Sequence, residues 1–233
     1  MPLDDAGRGR EPGPIIVFEG GEGSGKSTQL RRVSANLERH GVSHVCLREP
    51  GGTPLGTEVR RVLLDRTSDI EPRAEALLFM ASRAQLIQRE IQPSSERGDV
   101  VLLDRFFLST YAYQISGHGL PEADVRAANR FATGGLVPDL TILLSFPAEQ
   151  GLARAARRSE SHDRMEAMGE DFHRRVSAAL TTFGDAAWQT QHPECGPIVA
   201  VDATGSEDSV AAHVQRVLYD RWPGTFPWPA GSQ

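Results

Sequence analysis

Short apolar runs alternate with longer amphipathic stretches along this chain, the pattern of a parallel sheet wrapped by crossover helices. The runs Ile15 to Glu19, His44 to Arg48, Val100 to Asp104, Leu140 to Leu144 and Ile198 to Val201 read as strands. Each is nearly continuous in Val, Ile and Leu, which suits strands buried on both faces. Between them, helical periodicity opens near Lys26, Leu55, Arg73, Phe107, Glu122, Ala148, Met165 and Ser206. The pattern predicts one three-layer α/β/α domain with a five-stranded parallel sheet, spanning 14–221. Residues 1–13, polar and rich in Gly, Pro and charge, are expected to form a disordered extension. Residues 222–233 hold three Pro, two Trp and one Phe. They are expected to be an irregular tail, on the surface or against a neighbour.

Composition narrows the class. With 39% apolar and 24% charged residues, the 233-residue chain is that of an ordinary globular protein. No stretch approaches the roughly 18 unbroken apolar residues of a membrane span, and no apolar secretory block opens the sequence. A cytoplasmic protein without a membrane partner is expected. The net charge of −6 speaks against a nucleic-acid partner, which calls for a basic surface. Cys46 and Cys195 follow no metal-ligand spacing and are expected to be buried free thiols. Of the 25 basic residues, 24 are arginine and one, Lys26, is lysine. An ammonium is a compact point charge and a guanidinium a broad planar one, so Lys26 marks a place where only the compact cation fits.

Lys26 closes the run Gly20-Gly21-Glu22-Gly23-Ser24-Gly25-Lys26-Ser27, which has the full spacing of a phosphate-binding loop and lies between a strand and a helix. Glycines let successive N–H groups converge on phosphate oxygens at the positive end of the helix. These residues, with Thr28 next in the helix, form the candidate ATP site. Lys26 reaches the outer phosphates and Ser27 is a candidate Mg²⁺ ligand. The third strand ends in Asp104, a second candidate for the magnesium shell. Arg105 follows it where a hydrolase often places Glu, and a cation there suits a second, acceptor phosphate. Farther on, Arg154, Arg157, Arg158 and Arg164 cluster beyond a helix start. They read either as a lid that delivers cations to a migrating phosphoryl group or as a solvated basic face paired with Glu160, Glu166, Glu170 and Asp171.

An ordered series of segments resembles the bacterial thymidylate kinases across roughly residues 14 to 221. It runs through Phe18-Glu19-Gly20, then Arg48-Glu49-Pro50-Gly51-Gly52-Thr53-Pro54-Leu55-Gly56 and Leu78-Phe79-Met80-Ala81-Ser82-Arg83-Ala84. Asp104 to Gln114, Pro138-Asp139-Leu140-Thr141, Asp163-Arg164-Met165-Glu166 and Val201-Asp202-Ala203 complete it. The resemblance implies the P-loop nucleoside monophosphate kinase fold, Mg²⁺- and ATP-dependent phosphorylation of dTMP, and a homodimer. It further implies that Glu22 meets the acceptor's 3′-hydroxyl and helps organise Mg²⁺, and that Arg60 and Arg105 hold the acceptor phosphate. Phe79 is implied to stack on the base, and Arg83 to donate to one of its carbonyls. Thr110 and Gln114 would contact the base edge, Tyr113 would crowd the ribose 2′ position, and Pro50 would be cis. The phosphate loop holds no basic residue between Gly20 and Gly25, so the catalytic arginine is expected among Arg154, Arg157 and Arg158. Two positions depart from the family's pattern: Phe106 stands where tyrosine is frequent and Ser145 where aspartate is.

Overall fold

A computed structural model of the chain describes residues 11–156 and 163–227. Five strands, β1 (Ile15–Gly20), β2 (His44–Arg48), β3 (Val100–Asp104), β4 (Leu140–Ser145) and β5 (Ile198–Asp202), form one parallel sheet in the order β2-β3-β1-β4-β5. Each lies within a residue of the run read from the sequence. Alternate residues supply the two faces, as strand geometry requires. Ile15, Val17, Val101 and Leu103 join one core cluster; Ile16, Phe18, Val100 and Leu102 join the other. The expectation of burial on both faces holds for β1, β3 and β4 but not for the edge strands. β2 and β5 are partly exposed. Cys46 is accordingly exposed on edge strand β2, while Cys195 is buried.

Ten α-helical segments surround the sheet among the described residues: α1 (Lys26–Arg39), α2 (Pro54–Leu64), α3 (Pro72–Leu86), α4 (Gln92–Glu96), α5 (Phe107–Thr110), α6 (Glu122–Thr133), α7 (Ala148–Ala156), α8 (Glu170–Thr182), α9 (Ala186–Gln191) and α10 (Glu207–Arg221). Prolines open α2 and α3, where their missing N–H costs nothing, and Thr53 and Ser206 cap α2 and α10 through their hydroxyls. Two π-helical stretches, Ile87–Ile91 after α3 and Tyr111–Gly117 after α5, were not foreseen. The helix expected near Met165 starts at Glu170, because a turn at 164–167 intervenes. Arg164 ties that stretch down, its N–H donating to Leu64 O at 3.1 Å.

Packing extends past residue 221. Phe226 is fully buried in the cluster that holds Leu37, Val100 and Leu218. No periodic signal surrounds it, so the sequence pattern could not place it.

Candidate active site

The phosphate loop turns from the carboxyl end of β1 into the first turn of α1. Gly20, Gly23 and Gly25 take φ values of 143°, 67° and 95°, a region that other residues enter only with strain. Gly23 is also wedged against a neighbour, since a Cβ there would lie 2.2 Å from Gly151 O. The loop and α7 therefore pack backbone against backbone. Lys26 is buried, and its Nζ donates to Gly20 O (3.0 Å) and Gly21 O (2.7 Å). Burial, together with the nearby Arg105, pushes its ammonium down to about 8 against the pull of Glu22, Asp104 and Glu19. Ser27 Oγ donates to Asp104 Oδ2 at 2.6 Å. A hydroxyl and a carboxylate at this distance are hard oxygen donors of the kind Mg²⁺ takes. The residues present fit that ion.

Arg105 is the only non-glycine residue at positive φ among those described, at 71°. Such a backbone is retained where the surrounding structure over-determines it. Here Arg105 N–H donates to Phe18 O at 3.0 Å, and the guanidinium turns back toward the phosphate loop. It donates to the Glu22 carboxylate and to Ser109 Oγ (3.1 Å), with its carbon 5.4 Å from the Tyr113 ring centre. Tyr113 donates its hydroxyl to the same Glu22 oxygen at 3.0 Å. Burial alone would raise the Glu22 carboxyl, but Arg105, Lys26 and Tyr113 outweigh it and hold it at about 2. Glu22 thus stands ionised between the loop lysine and Arg105.

A cavity of about 320 Å³ opens in front of these groups. The Glu49–Pro50 peptide bond is cis, as the resemblance implied, and Gly51 N–H is held by Ser82 Oγ at 3.2 Å. Arg60 reaches across from α2 to Pro50 O at 3.1 Å. Burial and the neighbouring Arg48 lower its guanidinium. Phe79 is half-buried and lines the cavity, as do Thr110, Tyr113 and Gln114. All the candidate acceptor residues, Glu22, Arg60, Phe79, Arg83, Arg105, Thr110, Tyr113 and Gln114, therefore face one space together with Gly23, Gly25, Lys26, Ser27 and Thr28. Gly21 faces a second cavity of about 370 Å³ on the other side of the loop, against α8.

Arg83 lines the cavity and is held by protein groups that the sequence did not foretell. Its Nε and Nη2 donate to Glu49 Oε2 (2.8 and 2.6 Å), and Nη2 also to Phe106 O (3.1 Å). Nη1 donates to Thr110 Oγ1 (3.0 Å) and Asn129 Oδ1 (2.6 Å). A guanidinium has five N–H groups, and all five are placed on protein acceptors. Arg83 is 2% exposed.

Sequence reasoning also missed Glu75, a fully buried carboxylate in the first turn of α3. It accepts from Gln114 Nε2 (2.8 Å) and from Arg164, and His118 Nε2 lies 3.0 Å away. An acid near a helix start reads from sequence as a dipole partner, which masked this role. Arg164, counted above among the cluster beyond β4, is spent on Glu75 and on Leu63 O (2.8 Å). Arg154 is exposed, with its guanidinium carbon 4.1 Å from the ring centre of Phe146, a residue that lines the second cavity. Arg157 and Arg158 lie outside the described residues.

The phosphate-binding loop shares one cavity with the cations Arg60 and Arg105, the half-buried ring of Phe79 and the polar side chains of Thr110 and Gln114. Loop, paired cations and ring in one cavity define a P-loop nucleoside monophosphate kinase. Comparison with known proteins specifies it further. A family profile described as thymidylate kinase matches residues 18–192. The chain is 45% identical to the thymidylate kinase of Deinococcus radiodurans over 209 residues, covering 90% of this chain and 98% of that protein. It is 48% identical to that of Chlorobaculum tepidum over 178 residues, 73% of this chain and 83% of that one. With the thymidylate kinase of Leifsonia xyli it shares 41% over 204 residues, 88% and 93% of the two chains. The chain belongs to the thymidylate kinase family.

Proposed function

We propose that this enzyme transfers the γ-phosphoryl group of ATP to the phosphate of dTMP, giving dTDP on the way to dTTP, in the cytoplasm and with Mg²⁺. The observation that carries the reading is the single cavity running from Lys26 and Ser27 past Arg60 and Arg105 to Phe79, Thr110 and Gln114. The name shared by the relatives supports dTMP as acceptor. No described helix is long and apolar enough to cross a membrane.

The acceptor nucleophile is already an ionised phosphate oxygen, so no strong general base is needed. Catalysis is then alignment and charge neutralisation. Lys26 exchanges the carbonyls of its own loop for the outer phosphate oxygens. Ser27 and Asp104, with Glu22 nearby, would hold Mg²⁺, which when bound neutralises charge between the phosphates. Arg60 and Arg105 grip the acceptor phosphate and fix its oxygen toward the donor. The half-buried ring of Phe79 offers a flat face to the base, and Tyr113, held by Glu22, occupies the sugar's neighbourhood. The remaining cation comes from the run Arg154, Arg157 and Arg158, because the phosphate loop contains none beyond Lys26. ADP release measured with dTMP, dUMP, dCMP and dAMP tests the reading. It predicts dTMP as the best acceptor, and a rate with dTMP below that of the other nucleotides would sink it.

We further propose a homodimer formed through α3 and α6. Leu77 on α3 is 61% exposed and Phe131 on α6 is 92% exposed. Between these helices an apolar groove of about 270 Å³ is lined by Met80, Leu120, Val125 and Ala128. Sedimentation equilibrium is expected to give twice the chain mass, falling to the monomer mass in Leu77→Glu. A monomeric parent protein would refute it.

A further inference from the structure

We infer that Glu19, inside β1, is the residue that positions Arg105: it fixes the backbone of the turn after β3 and, through Ser109, the guanidinium itself. The inference rests on the proposed reading of Arg105 as an acceptor-phosphate cation and adds what aims it.

β1 is an apolar strand buried along its whole length, and Glu19 stands in it with 0% exposure. A side chain that ionises is costly to take out of water unless well-placed partners offset the loss. The register that pairs Phe18 with Asp104 brings Glu19 alongside the chain that follows β3. Its donors lie there. Oε1 accepts from Phe106 N–H (2.7 Å) and Ser109 N–H (3.0 Å), and Oε2 accepts from Ser109 Oγ (2.8 Å).

These bonds act on Arg105 at two points. Its backbone holds φ at 71°, a conformation that a residue with a side chain keeps only under constraint. Phe18 O takes the Arg105 N–H at 3.0 Å, and Glu19 takes the next one along, that of Phe106. The peptide units on both sides of the Arg105 α-carbon are thus tied to consecutive residues of β1. The guanidinium is held by the same carboxylate at one remove. Ser109 gives its proton to Glu19 Oε2, which leaves the hydroxyl oxygen free to accept, and Arg105 Nη1 donates to it at 3.1 Å. Nη1 also reaches Gly20 O at 3.4 Å, and Nη2 donates to Glu22.

Arg105 and Ser109 line the cavity, and Glu19, wholly buried, stands behind them. Glu19 is therefore a positioning residue, whose effect on a ligand passes through the other two. A cation fixed at both its backbone and its head meets a phosphate without first having to be ordered.

Isothermal titration with dTMP and with thymidine, which lacks the phosphate, is the test. Glu19→Gln keeps the size and an acceptor for the two N–H groups, but it turns an amide NH₂ toward Ser109. The hydroxyl proton then loses its acceptor and the relay to Arg105 is rearranged. The Kd for dTMP is expected to rise about tenfold or more, with that for thymidine unmoved. In the Arg105→Ala background the same substitution is expected to change neither. Equal weakening of both ligands would show a merely structural role and overturn the inference, as would an unmoved dTMP Kd. Melting curves establish whether the variant is folded. If it is not, Ser109→Ala decides, since it cuts the relay and leaves both N–H bonds to Glu19. A rise confined to dTMP and absent in the Arg105→Ala background supports the inference; an unmoved Kd, or a rise that persists in that background, overturns it. Parent protein that binds dTMP no more tightly than thymidine, or in which Arg105→Ala leaves the dTMP Kd unchanged, would refute the acceptor-phosphate reading itself. A loss in Arg105→Ala with none in the Glu19 or Ser109 variant refutes only the positioning.

Discussion

The two ends of the central cavity use charge in opposite ways. At the phosphate end, two cations rest on groups that a ligand can replace, Lys26 on the carbonyls of Gly20 and Gly21 and Arg60 on Pro50 O, while Arg105 pairs with Glu22. At the base end, the ions are spent entirely on protein. Arg83 has every N–H placed, and Glu75 bonds three side chains. A phosphate needs charge brought to it, and a loosely satisfied cation can supply that. A saturated ion pair has no such charge to give and instead ties α3 to the chain after β2. One end binds with its charges; the other builds with them.

Substitution should separate these uses, and the largest effect is expected at the base end. Arg83→Met leaves Glu49 buried without its partner. Breaking one side of a buried pair costs about 3–5 kcal/mol, so the melting temperature is expected to drop by roughly 6–20 °C. If the melt were unchanged while dTMP binding disappeared, Arg83 would be a ligand group and the contrast would fail. At the phosphate end, Lys26→Ala should leave the melt nearly unmoved while kcat/KM falls about 100- to 1000-fold. Lys26→Arg is expected to restore little, because the buried slot holds the compact cation. Arg60→Ala should raise KM for the acceptor about 10- to 100-fold with kcat less affected, read from initial rates at saturating ATP.

The smallest effect concerns acid stability. The Glu22 carboxyl is held at about 2 in the folded protein, below its ordinary 4.5. Its stabilisation is therefore complete above 4.5 and is lost as pH falls through that window toward about 2. Glu22→Gln should flatten this part of the acid-unfolding profile by about 1–2 kcal/mol, the side chain being 25% exposed. An unchanged acid limb would mean that Arg105 does not pair with Glu22 in solution.

What could be read from the sequence follows the same divide. The strands were legible because a parallel sheet needs unbroken apolar runs, and the phosphate loop because its glycines sit at fixed offsets. Edge exposure of β2 and Cys46 was not legible, since an edge strand and a central one can share composition. Phe226 gave no signal because a buried residue in irregular chain has no period. At the site, residues that line the cavity belong to recognisable segments, and Arg60, Phe79, Arg105, Thr110 and Gln114 were named in advance. Glu75 was missed and the protein partners of Arg83 were not foreseen, because their contacts reach residues 23 to 89 positions away. Local pattern carries no record of such distances.

The most direct test is a high-resolution structure of the enzyme with dTMP bound. The account predicts that the phosphate of dTMP lies within hydrogen-bond distance of Arg60 and Arg105 and that its base lies against Phe79. A phosphate bound away from both arginines, with Arg60 still on Pro50 O, would contradict it.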